Sequence, residues 1–361
     1  MDFPWHIGVF DAHCHPTDTL SSLPNVPGMR CRALTVMATR AQDQDLVADA
    51  AQKFGLTASD VAAGSWSAEH KIVPAFGWHP WFSHEMFDEN DFEGAIELSY
   101  EQRILHYQKV LVPSSDDRNF LLSLPAPKPF GDFLNRTKEH LSRHPLALVG
   151  EVGLDRSFRI PEAWLPSQVG DRNGSLTPGG REGRRLSPYR VNINHQRKVL
   201  LAQLRLAADL QRAVSVHGVA AHGIVYETIA ETWKGFEVSK KRKPKDDENL
   251  NYPPRICMHS YSGQADTVKQ YTASSVPCKV FFSFSTTINK WSEEGDGKVE
   301  AALKAVPDER VLVESDLHVA GEQMDECLEQ AVRMICRVKG WELETGLVRL
   351  AQNWRQFVLG R

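Results

Sequence analysis

Short apolar runs alternate with longer amphipathic segments along most of this 361-residue chain. Eight of these runs have the length and the β-branched or aromatic content of strands. The predicted strands are residues 7–13, 33–38, 72–77, 147–150, 213–216, 255–258, 280–285 and 311–314. The predicted helices, which follow a period of about 3.6 residues, are residues 43–53, 130–143, 196–211, 223–233, 265–271, 299–305 and 321–339. This alternation predicts one α/β domain over residues 1–361, a (β/α)8 TIM barrel.

Three long interruptions are expected in this barrel, at about 81–129, 157–188 and 236–253. The first two follow predicted strands three and four, so they are βα-loop insertions on the face that carries active sites in barrels. The second insertion is rich in arginine: Arg172, Arg181, Arg184 and Arg185. Two interpretations of that loop stay open, namely contact with an anionic substrate and a disordered surface segment.

The third insertion contains a basic run at 240–243, and it follows a helix rather than a strand. It therefore belongs to the opposite rim of the barrel, away from the chemistry. A nuclear-import signal and a solvated charged loop are the two explanations of this run.

Composition narrows the class of protein without naming a substrate. A net charge of −4 gives no overall electrostatic signature for nucleic acid, so a DNA or RNA substrate requires a local basic patch. The six cysteines form no Cys-x-x-Cys pair, which is typical of reduced thiols in the cytoplasm or nucleus. No signal peptide and no apolar run of about 18 residues is evident, so we expect a soluble protein without a membrane partner. The oligomeric state stays open.

Metal-binding residue types recur where the predicted strands end. Asp11, His13 and His15 alternate along the first strand, so their side chains project to the same face. Four later strand ends also offer His, Glu or Asp, and the carboxyl ends of barrel strands meet at one face. The candidate ligands are His13, His15, Glu151, His217, His259 and Asp316.

Four histidines and two carboxylates are too many for one tetrahedral zinc with an open position. They suit two divalent ions that share one carboxylate and together activate a water molecule. The reaction class that this set favours is metal-assisted hydrolysis, with a phosphodiester as the leading bond. A carboxylate beside that water can accept its proton and act as the general base.

Eight short motifs follow one another along the chain. They are Asp-Ala-His-Cys-His at 11–15, Gly-Trp-His-Pro at 77–80, Gly-Glu-Val-Gly-Leu-Asp at 150–155, Gln-Leu-Arg-Leu-Ala at 203–207, Val-His at 216–217, His-Ser-Tyr-Ser-Gly at 259–263, Glu-Ser-Asp at 314–316 and Asn-Trp-Arg-Gln-Phe at 353–357. With these motifs in this order, the chain resembles the TatD-type metal-dependent deoxyribonucleases, a branch of the amidohydrolase-like barrel group. The resemblance runs from Phe10 to about Phe357, and the insertions resemble those of a fungal branch.

The resemblance implies a role for each of these positions. One ion would be held by His13, His15, Glu151 and Asp316, and the other by Glu151, His217 and His259. Glu151 would bridge the two ions and, with Asp316, form the catalytic pair. The ions would be Zn²⁺ or Mg²⁺, with Mn²⁺ as a third choice. The implied activity is the trimming of single-stranded DNA from its 3′ end.

Four further residues are expected around these ligands. His79 would contact substrate, and Trp81 would offer a stacking surface for a base, although core packing also explains that indole. Asp11 would support the strand end rather than bind an ion. Glu314 would orient a ligand, or else pair with a surface cation.

The chain also departs from the family pattern. The family usually has an arginine two residues after the histidine of strand five, whereas Val219 stands there. Ser315 replaces a threonine, and Leu317 and His318 stand where a proline is usual. These changes leave the ligands intact but put phosphate contact and substrate choice in doubt. Two alternatives therefore stay open: an amidohydrolase or lactonase for a small molecule, and a barrel scaffold that binds a protein partner through its insertions.

Overall fold

Eight parallel strands pair in chain order into one sheet. The computed structural model describes residues 2–63, 67–164, 167, 170, 172–238, 250–291 and 297–360, so the basic run at 240–243 lies outside the described residues. The first and last strands meet through two backbone hydrogen bonds, from Asp316 N to His13 O (3.0 Å) and from His15 N to Leu317 O (2.8 Å). The nearly closed sheet with helices between its strands confirms the predicted (β/α)8 barrel.

The bounds of the elements are as follows. The barrel strands are β1 Phe10–Cys14, β2 Ala33–Met37, β3 Ile72–Phe76, β4 Leu148–Asp155, β5 Val214–Val219, β6 Arg255–Met258, β7 Lys279–Phe284 and β8 Val311–Val313. The helices are α1 Gln44–Phe54, α2 Ala58–Ala63, α3 Tyr100–Val110, α4 Arg118–Ser123, α5 Phe130–Arg143, α6 Ile193–Asp209, α7 His222–Trp233, α8 Ala265–Tyr271, α9 Lys298–Ala305, α10 Glu322–Lys339 and α11 Leu343–Leu359. Within the described residues, no helix has the length and apolar character that a membrane crossing requires.

Two strand boundaries differ from the prediction. Strand β1 begins at Phe10, not at residue 7, because Gly8 has a φ of 99°, which interrupts the extended backbone after a short 3-10 helix. Strand β4 continues five residues past the predicted end at 150 and pairs with β5 as far as Asp155. Gly153 permits this pairing, because a Cβ there would lie 2.1 Å from the carbonyl oxygen of His217. The polar residues of this stretch concealed the strand in the sequence.

The first insertion is folded rather than irregular. It contains a 3-10 helix at Pro80–Glu85, followed by α3 and α4. Ile104, Tyr107 and Leu121 form the buried centre of this layer. In the second insertion Thr177 is buried, and its backbone N–H donates to the carbonyl of Asp18 in the loop after β1 (2.9 Å). Both insertions therefore pack on the carboxyl-end face of the barrel.

Candidate metal centre

The six predicted ligands lie together at the carboxyl ends of five barrel strands. All of these strands run in the same direction, so the residues that follow them converge. Five of the six are buried, and the Asp316 side chain is 11% exposed. They are His13, His15, Glu151, His217, His259 and Asp316.

Glu151 lies at the centre of the cluster, and its two oxygens face different imidazoles. Its Oε2 is 3.4 Å from the Nε2 atoms of both His13 and His15. Its Oε1 is 2.8 Å from His259 Nε2 and 2.9 Å from His217 Nδ1. A carboxylate placed in this way can serve two cations at once.

The donors on the Oε2 side match the spacing of ligands around one ion. The Nε2 atoms of His13 and His15 are 3.1 Å apart, and Asp316 Oδ1 is 3.7 Å and 3.4 Å from them. A tetrahedral zinc with bonds of about 2.0–2.1 Å separates its ligands by roughly 3.3–3.4 Å. These residues therefore fit a divalent ion.

The donors on the Oε1 side are closer together. His217 Nδ1 and His259 Nε2 are 3.2 Å apart, and each lies within 3 Å of Glu151 Oε1. Adjacent ligands of an octahedral ion with bonds of about 2.1 Å are separated by roughly 3.0 Å. This spacing suits a second ion with Glu151 as the shared ligand.

Groups behind the imidazoles fix their orientation. Ser215 Oγ is 2.9 Å from His13 Nδ1, and Asp155 Oδ2 is 3.2 Å from His217 Nε2. Such partners hold a ring so that its other nitrogen points at the ion. The sequence predicted no separate role for Asp155, which lies in the motif at 150–155. The available signal was strand alternation, which puts residues 151, 153 and 155 on one face.

Asp11 and Glu314 are fully buried beside the cluster. Asp11 Oδ1 accepts from the backbone N–H groups of His13 and Ser315 (3.0 Å each), so it joins β1 to the end of β8 and touches no imidazole ring. Burial raises the pKa of Asp11 to about 7. Glu314 accepts from the backbone N–H of Ser260 (2.7 Å) and faces His259 Nδ1 at 3.8 Å.

The ring of His79, which was expected to contact substrate, lies against Glu151 at the centre of the cluster. Its Nδ1 accepts the backbone N–H of Trp81 (3.2 Å), and its Nε2 is 3.1 Å from Glu151 Oε1. Burial lowers the pKa of His79 to about 4, so the ring is neutral. A neutral ring whose Nδ1 accepts must carry its proton on Nε2, so His79 donates toward the centre.

Trp81 lines the site and is fixed there by a hydrogen bond and an aromatic stack. Its indole N–H donates to Asp155 Oδ2 (2.6 Å), and its ring stacks on Phe158 with centroids 4.3 Å apart. The structure thus places Trp81 next to the predicted ligand His217, with ring centroids 6.0 Å apart.

The electrostatics of the cluster favour ionised carboxylates. Burial acts to raise the pKa of Glu151, but the surrounding imidazoles, His79 foremost, hold it well below its ordinary value. Burial also acts to lower the pKa of His15, but the hydrogen bond with Asp316 and the charge of Glu151 raise it to about 9. Two carboxylates that stay ionised among imidazole nitrogens form a site for cations.

Comparison with known proteins agrees with this geometry. The chain matches the family model described as TatD related DNase over residues 10–358. The chain belongs to the TatD-related deoxyribonuclease family. TatD proteins are metal-dependent, and this member is a hydrolase that acts on ester bonds.

Two relatives of this TatD protein are fungal. The Cut9-interacting protein scn1 of Schizosaccharomyces pombe is 37% identical over 363 residues, which cover 97% of this chain and 98% of the relative. The uncharacterized deoxyribonuclease YMR262W of Saccharomyces cerevisiae is 26% identical over 307 residues, or 82% and 85% of the two chains.

Solved structures share the TatD barrel. The TatD family hydrolase of Entamoeba histolytica aligns over 98% of this chain and 99% of its own, with a TM-score of 0.55 and 10% identity. The TatD homologue YJJV of Escherichia coli aligns over 97% and 98%, with a TM-score of 0.53 and 16% identity. At these identities the comparison establishes the fold alone.

Two arginines of the second insertion, Arg172 and Arg184, are engaged within that loop of the TatD barrel, whereas Arg185 is 86% exposed. Arg172 pairs with Glu182 (2.6 Å), and Arg184 donates to the carbonyls of Gly180 and Glu162. His318, for which the sequence predicted no role, lies beside the cluster. Its ring is exposed, stacks on the predicted ligand His15 (centroids 5.2 Å apart) and is held by Asp18 Oδ2 at 2.7 Å from its Nδ1.

Proposed function

We propose that this chain is a deoxyribonuclease that binds two divalent ions and hydrolyses phosphodiester bonds of DNA. The observation that carries the proposal is the arrangement of Glu151, whose two oxygens face separate sets of imidazoles. Zn²⁺, Mg²⁺ and Mn²⁺ are the candidate ions. When bound, such ions lower the pKa of a water molecule and neutralise charge that develops on a phosphoryl oxygen.

Asp316 is the proposed general base. Burial acts to raise its pKa, but the hydrogen bond with His15 and the nearby imidazoles hold it well below the ordinary value, so the carboxylate is ionised. One oxygen faces the histidines of β1, and Oδ2 accepts from Ser260 Oγ (3.3 Å). An ionised carboxylate at the edge of the cluster can accept the proton of the attacking water.

His79 is the proposed donor to substrate. Its neutral ring presents Nε2–H to the centre, where a phosphoryl oxygen can accept it. Trp81 holds this tautomer through its backbone N–H. Removal of DNA from the 3′ end is proposed on the family resemblance, and the folded insertions over the rim support action on a strand end.

A second proposal is that the chain binds a protein partner through its first insertion. Ile96, Tyr100 and Leu105 are apolar and 82%, 70% and 59% exposed on this layer. The Schizosaccharomyces pombe relative is named for its interaction with Cut9. Binding and hydrolysis can coexist on one barrel, since the exposed side chains and the ligands are different residues. Location in the cytoplasm or nucleus stays a prediction.

The test is an assay of the purified chain on single-stranded oligonucleotides labelled at either end, with Mg²⁺, Mn²⁺ or Zn²⁺ added. We expect divalent-dependent shortening from the 3′ end. Glu151→Ala and Asp316→Ala should reduce cleavage by about 10²–10³-fold, as losing a group aimed at the transition state can. Asp266→Ala, at an exposed carboxylate on α8, is the control that should retain activity.

Metal analysis separates the parts of this proposal. Two bound ions per chain are expected, and fewer in Glu151→Ala. If the metal-loaded chain leaves DNA and RNA intact, the nuclease proposal is wrong, and esters, lactones and amides become the substrates to screen.

A further inference from the structure

The two insertions enclose a narrow cleft beside the metal centre. Its volume is about 220 Å³, below the range of roughly 300–1,000 Å³ that is typical of pockets for drug-sized ligands. Trp81 and Phe158 contribute a stacked aromatic pair to its lining. Other lining residues are the apolar Phe82, Leu124, Ile160 and Pro178 and the charged Arg172, Glu182 and Arg184, of which Arg172 and Glu182 pair with each other. A cleft of this size and character suits one flat ring system.

Glu85 is the unusual member of this lining. Glu85 is only 8% exposed. Among the described residues, however, no donor makes a hydrogen bond to its carboxylate. Arg40 and Arg184 act on it only at longer range. Buried carboxylates are normally hydrogen-bonded, because burial removes the water that would otherwise solvate them. The Glu85 carboxylate can therefore accept hydrogen bonds from a ligand in the cleft.

The cleft is adjacent to the reaction centre. Trp81 lines it, and the same residue donates its backbone N–H to His79 and its indole N–H to Asp155. Asp155 in turn contacts the candidate ligand His217. A ring in the cleft would therefore belong to a nucleotide close to the bond that is cut.

The chemistry of a carboxylate selects among the four bases. Burial raises the pKa of Glu85 to about 7, so the ionised form predominates above pH 7, and its two oxygens then accept and do not donate. Guanine presents two adjacent donors, N1–H and the N2 amine, on its Watson–Crick edge. In adenine and cytosine the amine stands beside a ring nitrogen with a lone pair, and in thymine the donor stands between two carbonyls, so a carboxylate meets repulsion there.

We propose that this cleft is a base-recognition subsite in which Glu85 accepts two hydrogen bonds from an unpaired guanine. The guanine belongs to a nucleotide next to the scissile phosphodiester, and the aromatic pair lines the space that its ring occupies. This inference rests on the proposed nuclease function.

Binding of dGMP, dAMP, dCMP and dTMP, measured by calorimetry, tests the subsite without turnover. We expect dGMP to bind about tenfold more tightly than the other three, within the range for a bidentate base contact. Glu85→Gln should remove this preference, because an amide offers one acceptor and one donor. Glu162→Gln is the matched control: its carboxylate is on the second insertion, is 41% exposed and does not line the cleft. Equal affinities in the natural chain overturn the proposal, whatever the stability of the variants.

Cleavage of single-stranded oligonucleotides then separates this inference from the proposed function. Substrates would differ by one base beside the cut, including inosine, which lacks the N2 amine. We expect the order guanine above inosine above the rest, and loss of this order in Glu85→Gln. Selective dGMP binding without cleavage of any DNA would support the subsite and contradict the nuclease. Uniform cleavage with uniform binding would contradict the subsite alone.

Discussion

At the scale of single residues, the metal centre depends on the groups that hold its imidazoles from outside. Asp155 is the most connected of these, because it contacts His217, accepts the Trp81 indole N–H and accepts two backbone N–H groups at 2.6 Å and 2.9 Å. Burial acts to raise its pKa, but the hydrogen bond with His217 holds it well below the ordinary value. The ionised carboxylate fixes the ring so that Nδ1 faces Glu151.

Asp155→Asn should weaken the site without removing a ligand. An amide cannot supply the charge that orients His217, so we expect kcat/KM or ion affinity to fall by about 10–100-fold. The measurement is cleavage rate against metal concentration, with Asp266→Asn as the exposed control. A variant with the metal dependence of the natural chain would show that Asp155 is structural only.

The sequence predicted which residues would gather at the carboxyl-end face of the barrel, because strand ends converge whatever the details of packing. Pattern and order were enough to name His13, His259 and the rest of the set. Glu85 escaped prediction because its importance arises from how two insertions fold against each other. His318 escaped because its stacking on His15 depends on Asp18, which is remote in the sequence.

At the scale of elements, the first insertion is joined to the barrel through the buried His84 and His106 and the partly buried His195. His106 on α3 donates from Nε2 to the carbonyl of His84 (2.8 Å), and His195 on α6 donates to that of Ser83 (2.8 Å). Burial lowers the pKa of His84 to about 3 and of His106 to about 4, and it lowers that of His195 as well. The folded layer therefore holds these rings neutral.

This cluster predicts loss of stability in mild acid. The unfolded chain takes up protons on these histidines below about pH 6.5, whereas the folded chain does not until about pH 4 for His106. The free energy of unfolding therefore falls as the pH falls through this window, by up to about 1.4 kcal/mol per pH unit for each group. Urea unfolding at several pH values should give a shallower dependence for His106→Gln, which keeps a donor but does not titrate. Parallel slopes would contradict this account.

Element boundaries were predictable where apolar spacing was regular. The helices at Phe130–Arg143 and Ala265–Tyr271 match their predicted bounds. Helix α11 was missed, although its buried Leu347, Leu350 and Trp354 follow helical spacing. By contrast, the polar and glycine residues that extend β4 are in a strand because they pair with β5. No local pattern in the sequence reveals this pairing.

At the scale of the whole molecule, ions would join strands from both ends of the chain. Ions that bind only the folded state raise its stability, by about 2.7 kcal/mol at a hundredfold excess over the dissociation constant. We expect the Tm of chelator-treated protein to rise when Zn²⁺ or Mn²⁺ is restored. Glu151→Gln should reduce this rise, since it removes the shared charge. An unchanged Tm with every ion would contradict the metal centre.

The seam between β1 and β8 also makes the cluster of predicted ligands depend on closure of the barrel. Ser315 donates its backbone N–H to Asp11, which is 304 positions away in the sequence, and Asp316 donates its backbone N–H to the carbonyl of His13. If the two strands separated at this seam, Asp316 would move away from His13 and His15. Local opening between the first and last strands would therefore disperse the proposed metal centre.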